Sequence, residues 1–121
     1  MIPPEDQYHL GEWIASYPAE IIVCDRDGTI LEMNQVASDI YAGEGGMQMI
    51  GRNVFDHHPE PARSHLMSMI QKKQHVLYTT EKAGLTKLVS IAPWYREGTY
   101  TGFTLFVLDL PANLPNLVKD S

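Results

Sequence analysis

The sequence predicts a single α+β domain in which one antiparallel sheet of about five strands carries short helices on one face. Three observations predict it. The chain has 121 residues, the length of one ordinary domain. Strand-like runs form two groups on either side of a helical middle, so this middle must cover one face of a shared sheet. The last run is apolar at both odd and even positions, which indicates a strand that is covered on both faces.

An amphipathic helix is predicted ahead of the sheet, in the region 1–18. Its apolar residues recur at helical spacing, and Pro18 ends the pattern. These apolar residues are Leu10, Trp13, Ile14 and Tyr17. We expect the stripe that they form to dock on another surface, because a helix this short is only marginally stable alone in water.

Two strands and a short helix are predicted next. Residues 21–24 form an apolar run, residues 25–28 have the composition of a tight turn, and residues 29–33 resume the strand pattern, which indicates a hairpin. Asn34 then precedes an amphipathic stretch. Its side-chain oxygen can accept a hydrogen bond from the unpaired backbone N–H groups of a new helix, which predicts a helix start there.

The rest of the chain predicts a longer helix and three strands. Pro61 can occupy a first helical position, and one-sided apolar spacing continues to about Lys73. The predicted strands span residues 75–81, 85–96 and 100–110, with turns at Ala83-Gly84 and Glu97-Gly98. The sheet domain is therefore expected over residues 19–111, with residues 112–121 as a tail.

Charge and composition exclude several classes of function. Nine Lys and Arg against fifteen Asp and Glu give a net charge of -6, without the basic character that nucleic-acid binding needs. No apolar run reaches the length of a membrane span, and the N-terminus lacks the pattern of a signal peptide. Cys24 is the one cysteine, which excludes an internal disulfide and a cysteine-based metal site. We expect a cytoplasmic protein with no nucleic acid, membrane or metal partner.

The elements, in this order, resemble the PAS sensory domain family over about residues 19–111. The resemblance rests on four segments. Three of them are the strand and turn IIVCDRDGTILEMN, the helix start at Asn34 and Ala37, and the sequence Ile50-Gly51-Arg52 before a short helix. The fourth is the hairpin VSIAPWYREGTYTGFTLFVLDL, with Pro93, Gly98, Gly102 and Asp109. It implies a PAS fold and a sensory or interaction module in signal transduction, without catalytic residues. Since the residues after Asp109 are too few for an effector domain, we expect output through homodimer contacts or a separate effector protein.

The resemblance also implies a ligand cavity between the sheet and the helices. We expect a small apolar ligand there, because the helical middle supplies many adaptable apolar side chains. The expected lining residues are Ile40, Val54, Phe55, Leu66, Met69 and Ile70.

Haem is the alternative ligand. Residues 59–65 resemble the stretch that carries the proximal histidine in oxygen-sensing haem PAS domains, so His65 is a candidate axial ligand and His58 a second. At about 100° per residue, His65 falls on the flank of the apolar helix stripe, which favours an exposed histidine instead. A light-driven flavin adduct is excluded, because Val54 follows Gly51-Arg52-Asn53 where such PAS domains need a cysteine.

Two further motifs are typical of enzymes. Asp25-x-Asp27-Gly28-Thr29 resembles the nucleophile loop of haloacid-dehalogenase-type phosphatases, and Asp56-His57-His58 resembles the metal-binding triplet of a phosphoesterase family. A strand instead of a helix follows the first motif, and the second lacks the further Asp and His ligands of a two-metal site. We therefore interpret the first motif as a hairpin turn with Gly28 at positive φ, and the second as a polar helix end.

The two-faced apolarity of the last strand predicts self-association. The helical middle covers one face of the sheet, which leaves the other face for the first helix or for a second copy of the protein. A symmetric copy of the chain would bury it in a closed two-fold homodimer. The expected interface residues are Leu10, Trp13, Ile14 and Tyr17 of the first helix, with Phe106 and Leu108 of the last strand.

Overall fold

The computed structural model describes residues 10–120, apart from the side chain of Leu10. The first half of the predicted region 1–18, the interface role of Leu10 and the end of the tail at Ser121 therefore lie outside the described residues. The strands are β1 (Glu20–Asp25), β2 (Ile30–Met33), β3 (Val76–Lys82), β4 (Leu85–Arg96) and β5 (Thr99–Leu110). They form one sheet in the order β2-β1-β5-β4-β3, in which each neighbouring pair is antiparallel. The predicted α+β fold on a single antiparallel sheet is confirmed.

The helical segments are short. Those described are α1 (Leu10–Ser16), α2 (Gln35–Ile40) and α3 (Ala62–Gln71), with single-turn 3-10 helices at Ala42–Glu44, Gly46–Met49 and Val54–His57. α3 ends a little before the predicted Lys73, because Lys73 has a φ of 52°, the left-handed conformation that ends helices. Within residues 10–120, none of these helices is long and apolar enough to cross a membrane.

The turns that join the long strands have the backbone that their sequence predicts. Ala83 and Gly84 have φ angles of 53° and 80°, and Glu97 and Gly98 have φ angles of 51° and 81°. Positive φ at both central residues is characteristic of the type I′ turn, whose twist matches that of antiparallel strands. β3, β4 and β5 therefore follow one another directly along the chain and across the sheet.

Asn34 begins α2 and also fastens α1 to the sheet. Its side-chain oxygen accepts hydrogen bonds from the backbone N–H of Ala37 at 3.0 Å, which is the predicted cap, and of Ile21 at 3.1 Å. Its side-chain amide donates to the carbonyls of Ile14 at 3.0 Å and Ala19 at 2.8 Å. Asn34 is buried, so these bonds replace the water that it loses. One side chain thus joins α1, β1 and α2.

The core lies between the helical middle and the inner face of the sheet, which is the face towards α3. The largest fully buried side chains are Phe103, Ile30, Met49, Ile91, Val54 and Cys24. β5 alternates as predicted: Phe103 points into this core and is 1% exposed, whereas Phe106 lies on the opposite, outer face and is 37% exposed. The same strands therefore present two apolar faces that differ greatly in their exposure to solvent.

Candidate functional site

A cavity of about 370 Å³, here called the inner cavity, lies between the inner face of the sheet and the helical middle. Its apolar strand side chains are Ile22, Val89, Leu105 and Val107, and its apolar side chains from the helices include Met49, Val54, Ala62 and Leu66. Its polar side chains are Glu20, Tyr41, His57, His58, Tyr78, Thr80 and Lys87. An apolar lining with a few polar groups is typical of sites for small molecules.

The structure brings together part of the expected ligand-binding set: Ile40, Val54 and Leu66. Ile40 is 50% exposed, which places it at the rim of the inner cavity. Phe55 and Ile70 belong to the core instead: the Phe55 ring lies 6.1 Å from that of Phe103, and Ile70 is buried. Met69 lines an adjoining cavity. The expected set is therefore divided between two cavities and the core.

This adjoining cavity has a volume of about 500 Å³ and lies along α3. The two cavities border each other, because five residues line both of them: His58, Ala62, Leu66, Tyr78 and Thr80. His65 lines it as well, and the structure thus brings both candidate haem ligands to one space. His65 is exposed, in keeping with its place on the flank of the helix stripe, whereas His58 is half-buried.

The histidines of the Asp56-His57-His58 motif have separate partners. His57 Nδ1 lies 2.9 Å from a carboxylate oxygen of Glu44, and His58 Nδ1 lies 3.0 Å from the backbone carbonyl oxygen of Val54. A carbonyl oxygen only accepts hydrogen bonds, so His58 carries a proton on Nδ1. Across residues 10–120, no three His, Cys, Asp or Glu side chains gather as a set of metal ligands.

Glu20 is a site residue that the sequence analysis does not predict. It is 6% exposed, and its pairing with Val107 places it on the same inner face as Ile22. The Tyr41 hydroxyl donates a hydrogen bond to its carboxylate. Burial, followed by the charge and hydrogen bond of Glu20, raises the pKa of Tyr41 above its usual value, so Tyr41 remains a donor. The signal in the sequence is the position of Glu20 two residues before Ile22, since alternate strand residues share a face.

Val54 and Cys24 are the residues on which the formation of a flavin–cysteine adduct depends. Val54 is buried where a flavin adduct would require a thiol. Cys24 lies in the core on β1, and burial, with a smaller contribution from the charge of Asp25, raises the pKa of its thiol to about 12. A thiol that is protonated and buried is not a nucleophile at neutral pH.

The Asp25 to Thr29 motif forms the turn between β1 and β2. One carboxylate oxygen of Asp25 accepts hydrogen bonds from the backbone N–H groups of Asp27 and Thr29, each at 2.9 Å. Gly28 has a φ of 93°, and a Cβ there would collide with the ring of Phe55. The motif is therefore a hairpin turn that needs its glycine, and its first carboxylate orders the backbone of that turn.

The outer face of the sheet is covered only in part. α1 lies over β1, where Ile14 and Ala15 line a groove of about 280 Å³ together with Ile21 and Val23. Trp13 is 56% exposed and packs edge-on against the ring of Tyr17, with 6.1 Å between the ring centroids. The described residues expected at a dimer interface lie on α1, just after it and on the outer face: Trp13, Ile14, Tyr17, Phe106 and Leu108.

The family model described as PAS fold matches residues 14–110, which include the whole sheet and the helical segments from α2 to α3. The chain belongs to the PAS family. No curated protein has a significantly similar sequence. The resemblance found in the sequence is therefore confirmed at the level of family and fold.

Several solved structures resemble this PAS domain. The PAS domain of an HTR-like protein from Haloarcula marismortui has 19% identity and a TM-score of 0.63, and the match covers 88% of this chain and 93% of that one. A sensory box sensor histidine kinase from Vibrio cholerae has 18% identity and a TM-score of 0.65, with 88% and 94% covered. The Aer2 receptor of Vibrio cholerae, a dual PAS-heme oxygen sensor, has 16% identity and a TM-score of 0.56, with 77% and 95% covered. Identities this low show a shared fold alone.

Proposed function

We propose that this PAS domain is a sensory module of signal transduction that binds a small, mainly apolar ligand in the inner cavity. The observation that carries the proposal is a space of about 370 Å³, bordered by apolar side chains of both the sheet and the helices. A recess of this size, with an apolar lining and a few polar groups, is typical of binding sites for small molecules.

The output of the module is proposed to pass through the sheet. Val89 and Leu105 border the inner cavity, while Leu88 and Phe106, their neighbours on the same strands, lie on the outer face. A ligand that displaces these strands would therefore alter both faces. We assign the outer face and α1 to a homodimer interface, with Trp13 near its centre, and the effector to a separate protein.

The proposal gives the domain no catalytic role. The Asp25 carboxylate that would attack a phosphate ester already accepts two backbone hydrogen bonds within its turn. We expect Asp25→Asn to leave any hydrolysis of a generic phosphate ester unchanged. Magnesium-dependent hydrolysis that this substitution abolishes would contradict the binding-module proposal.

A haem-based gas or redox sensor is the second candidate function. The position of His58 and His65 on one cavity favours it, because haem iron needs a histidine beside an apolar pocket. Protein from cells supplied with a haem precursor would then show a Soret band that His65→Ala removes and His58→Ala retains. A colourless protein that takes up no added haem contradicts this candidate.

The apolar-ligand proposal is tested with 1-hexanol as the probe, added to the isotopically labelled domain. We expect amide signals of the residues that line the inner cavity to shift. Ala62→Phe adds a ring at the cavity wall and should weaken hexanol binding about tenfold. Met67→Phe, on the same helix but exposed, is the matched control and should leave binding unchanged. Shifts spread evenly over the surface, or binding that is indifferent to Ala62→Phe, would contradict the proposal.

A further inference from the structure

We infer that the ligand of the inner cavity carries an ammonium group that pairs with Glu20, an inference that rests on the proposed function because it concerns the same cavity. Glu20 is the first residue of β1, it is 6% exposed, and its side chain lines the inner cavity. A carboxylate is rarely buried to this extent without a partner of opposite charge.

The hydrogen bonds of Glu20 leave much of its accepting capacity unused. Within residues 10–120, the Tyr41 hydroxyl is the side-chain donor to this carboxylate, and no Lys, Arg or His forms an ion pair with it. A carboxylate has about four acceptor sites, so a bound molecule can donate to those that the Tyr41 hydroxyl does not use. An ammonium ion brings three N–H donors and the missing positive charge.

The basic side chains that line the cavity are already matched to other acceptors. Lys87 Nζ lies 3.8 Å from a carboxylate oxygen of Asp109, at the exposed end of the sheet. His57 faces Glu44 at 2.9 Å, and His58 donates to a backbone carbonyl. An anionic ligand would therefore be repelled by Glu20, while Lys87 and His57 each lie closer to another carboxylate than to Glu20. A cationic ligand would supply a counter-ion to Glu20, the one charged side chain of the cavity lining that has none among the described residues.

The size and lining of the cavity limit the rest of the ligand. At about 30 Å³ for each water-sized group, the inner cavity has room for on the order of a dozen such groups. Its sheet side consists of Ile22, Val89, Leu105 and Val107, which favour an aliphatic body. The ligand class is therefore a small primary amine with an apolar chain or ring.

The test compares three probes of equal chain length on the intact domain at pH 7: n-hexylammonium, 1-hexanol and hexanoate. We expect hexylammonium to bind about tenfold more tightly than hexanol, and hexanoate to bind most weakly, as measured by calorimetry. Glu20→Gln should abolish the preference for hexylammonium over hexanol, because it removes the charge that the ammonium group pairs with. Glu32→Gln removes an exposed carboxylate on the neighbouring strand and is the matched control, which should keep the preference.

Non-specific attraction of a cation to this acidic chain is distinguished by salt. A buried ion pair is screened far less than surface charges, so the preference should persist when NaCl rises to about 0.3 M. Its loss in salt, or its survival in Glu20→Gln, would overturn the ammonium assignment.

The outcomes also separate this inference from the proposed function. If hexanol binds in the cavity as tightly as hexylammonium or more tightly, the inference is overturned but the proposed function stands. Failure of hexanol and hexylammonium alike to shift the cavity signals would overturn both. If Glu20→Gln does not fold, the ranking of the three probes on the unmodified chain decides the inference alone.

Discussion

The inner and outer faces of the sheet are built by the same strands but are covered differently. The inner face packs against α3 and its neighbouring helices and surrounds a cavity, and Phe103 on this side is 1% exposed. On the outer face α1 lies over β1, while Phe106 on β5 and Leu77 on β3 remain 37% and 58% exposed. One face of the sheet therefore carries the packed core and a cavity, whereas the other leaves large apolar side chains exposed to solvent.

The largest expected effect is a difference in stability loss between substitutions of two phenylalanines of β5. Phe103→Ala should lower the free energy of unfolding by about 4 kcal/mol, because it leaves a void in a close-packed core. Phe106→Ala, the matched control on the outer face, should cost about 1 kcal/mol or less, because its ring is already partly in water. Urea unfolding at low protein concentration measures both. Equal losses would remove the distinction between the two faces.

Asn34→Ala tests the link between α1 and the sheet. It removes the cap of α2 and leaves the carbonyls of Ile14 and Ala19 without their donor, so we expect a loss of about 2 to 3 kcal/mol. Amide exchange should show α1 opening faster than β1. Gln35→Ala, which removes an exposed side chain paired with Asp39, is the control and should cost little.

Trp13→Glu tests the proposed use of the outer face. A carboxylate in place of an exposed indole at an apolar interface should weaken self-association about tenfold or more, which light scattering over a concentration series measures. Met67→Glu places the same charge on α3, away from the proposed interface, and should leave the dimer intact. A wild-type chain that stays monomeric at high concentration would mean that α1 only caps its own sheet.

The last prediction concerns alkaline pH and tests whether water reaches the inner face of the sheet. Burial raises the pKa of Cys24 from 9.0 to about 12, so between these values the unfolded thiol loses its proton while the folded one keeps it. The free energy of unfolding should therefore decrease as pH rises from 9, by at most about 1.4 kcal/mol per pH unit from this group. Cys24→Ala should show a shallower decrease over the same range. Identical slopes would show that the thiol is accessible to water.

Local patterns predicted most of the fold, because they depend on neighbours along the chain. The cap at Asn34, the turns at Ala83-Gly84 and Glu97-Gly98, and the alternation of β5 are all confirmed. Each of these features depends on backbone geometry or on the alternation of side chains between the two faces of a strand, and a single segment of sequence determines both.

The candidate site was less predictable, because tertiary packing decides it. Glu20 looks like an exposed strand end until β5 and Tyr41 enclose it. Ile40 lines the inner cavity but is half exposed at its rim, a degree of exposure that the sequence of a six-residue helix does not reveal. Phe55 and Ile70 are apolar, as pocket-lining residues often are, but other core side chains pack against them. Burial of particular side chains thus needs the fold as well as the pattern.

The position of β5 has a consequence for how the chain is made. β5 is synthesised after the other four described strands, yet it lies at the centre of the sheet between β1 and β4. The indole N–H of Trp94 on β4 reaches past Gly102 of β5 to the carbonyl of Cys24 on β1, a bond that spans 70 positions along the chain. A nascent chain that has not yet released residues 99–110 therefore holds two hairpins whose inner edges have no neighbour, and such edges are prone to pair with other chains. Completion of the sheet is a late, non-local event, which makes this stage of synthesis the one at which a chaperone would be needed most.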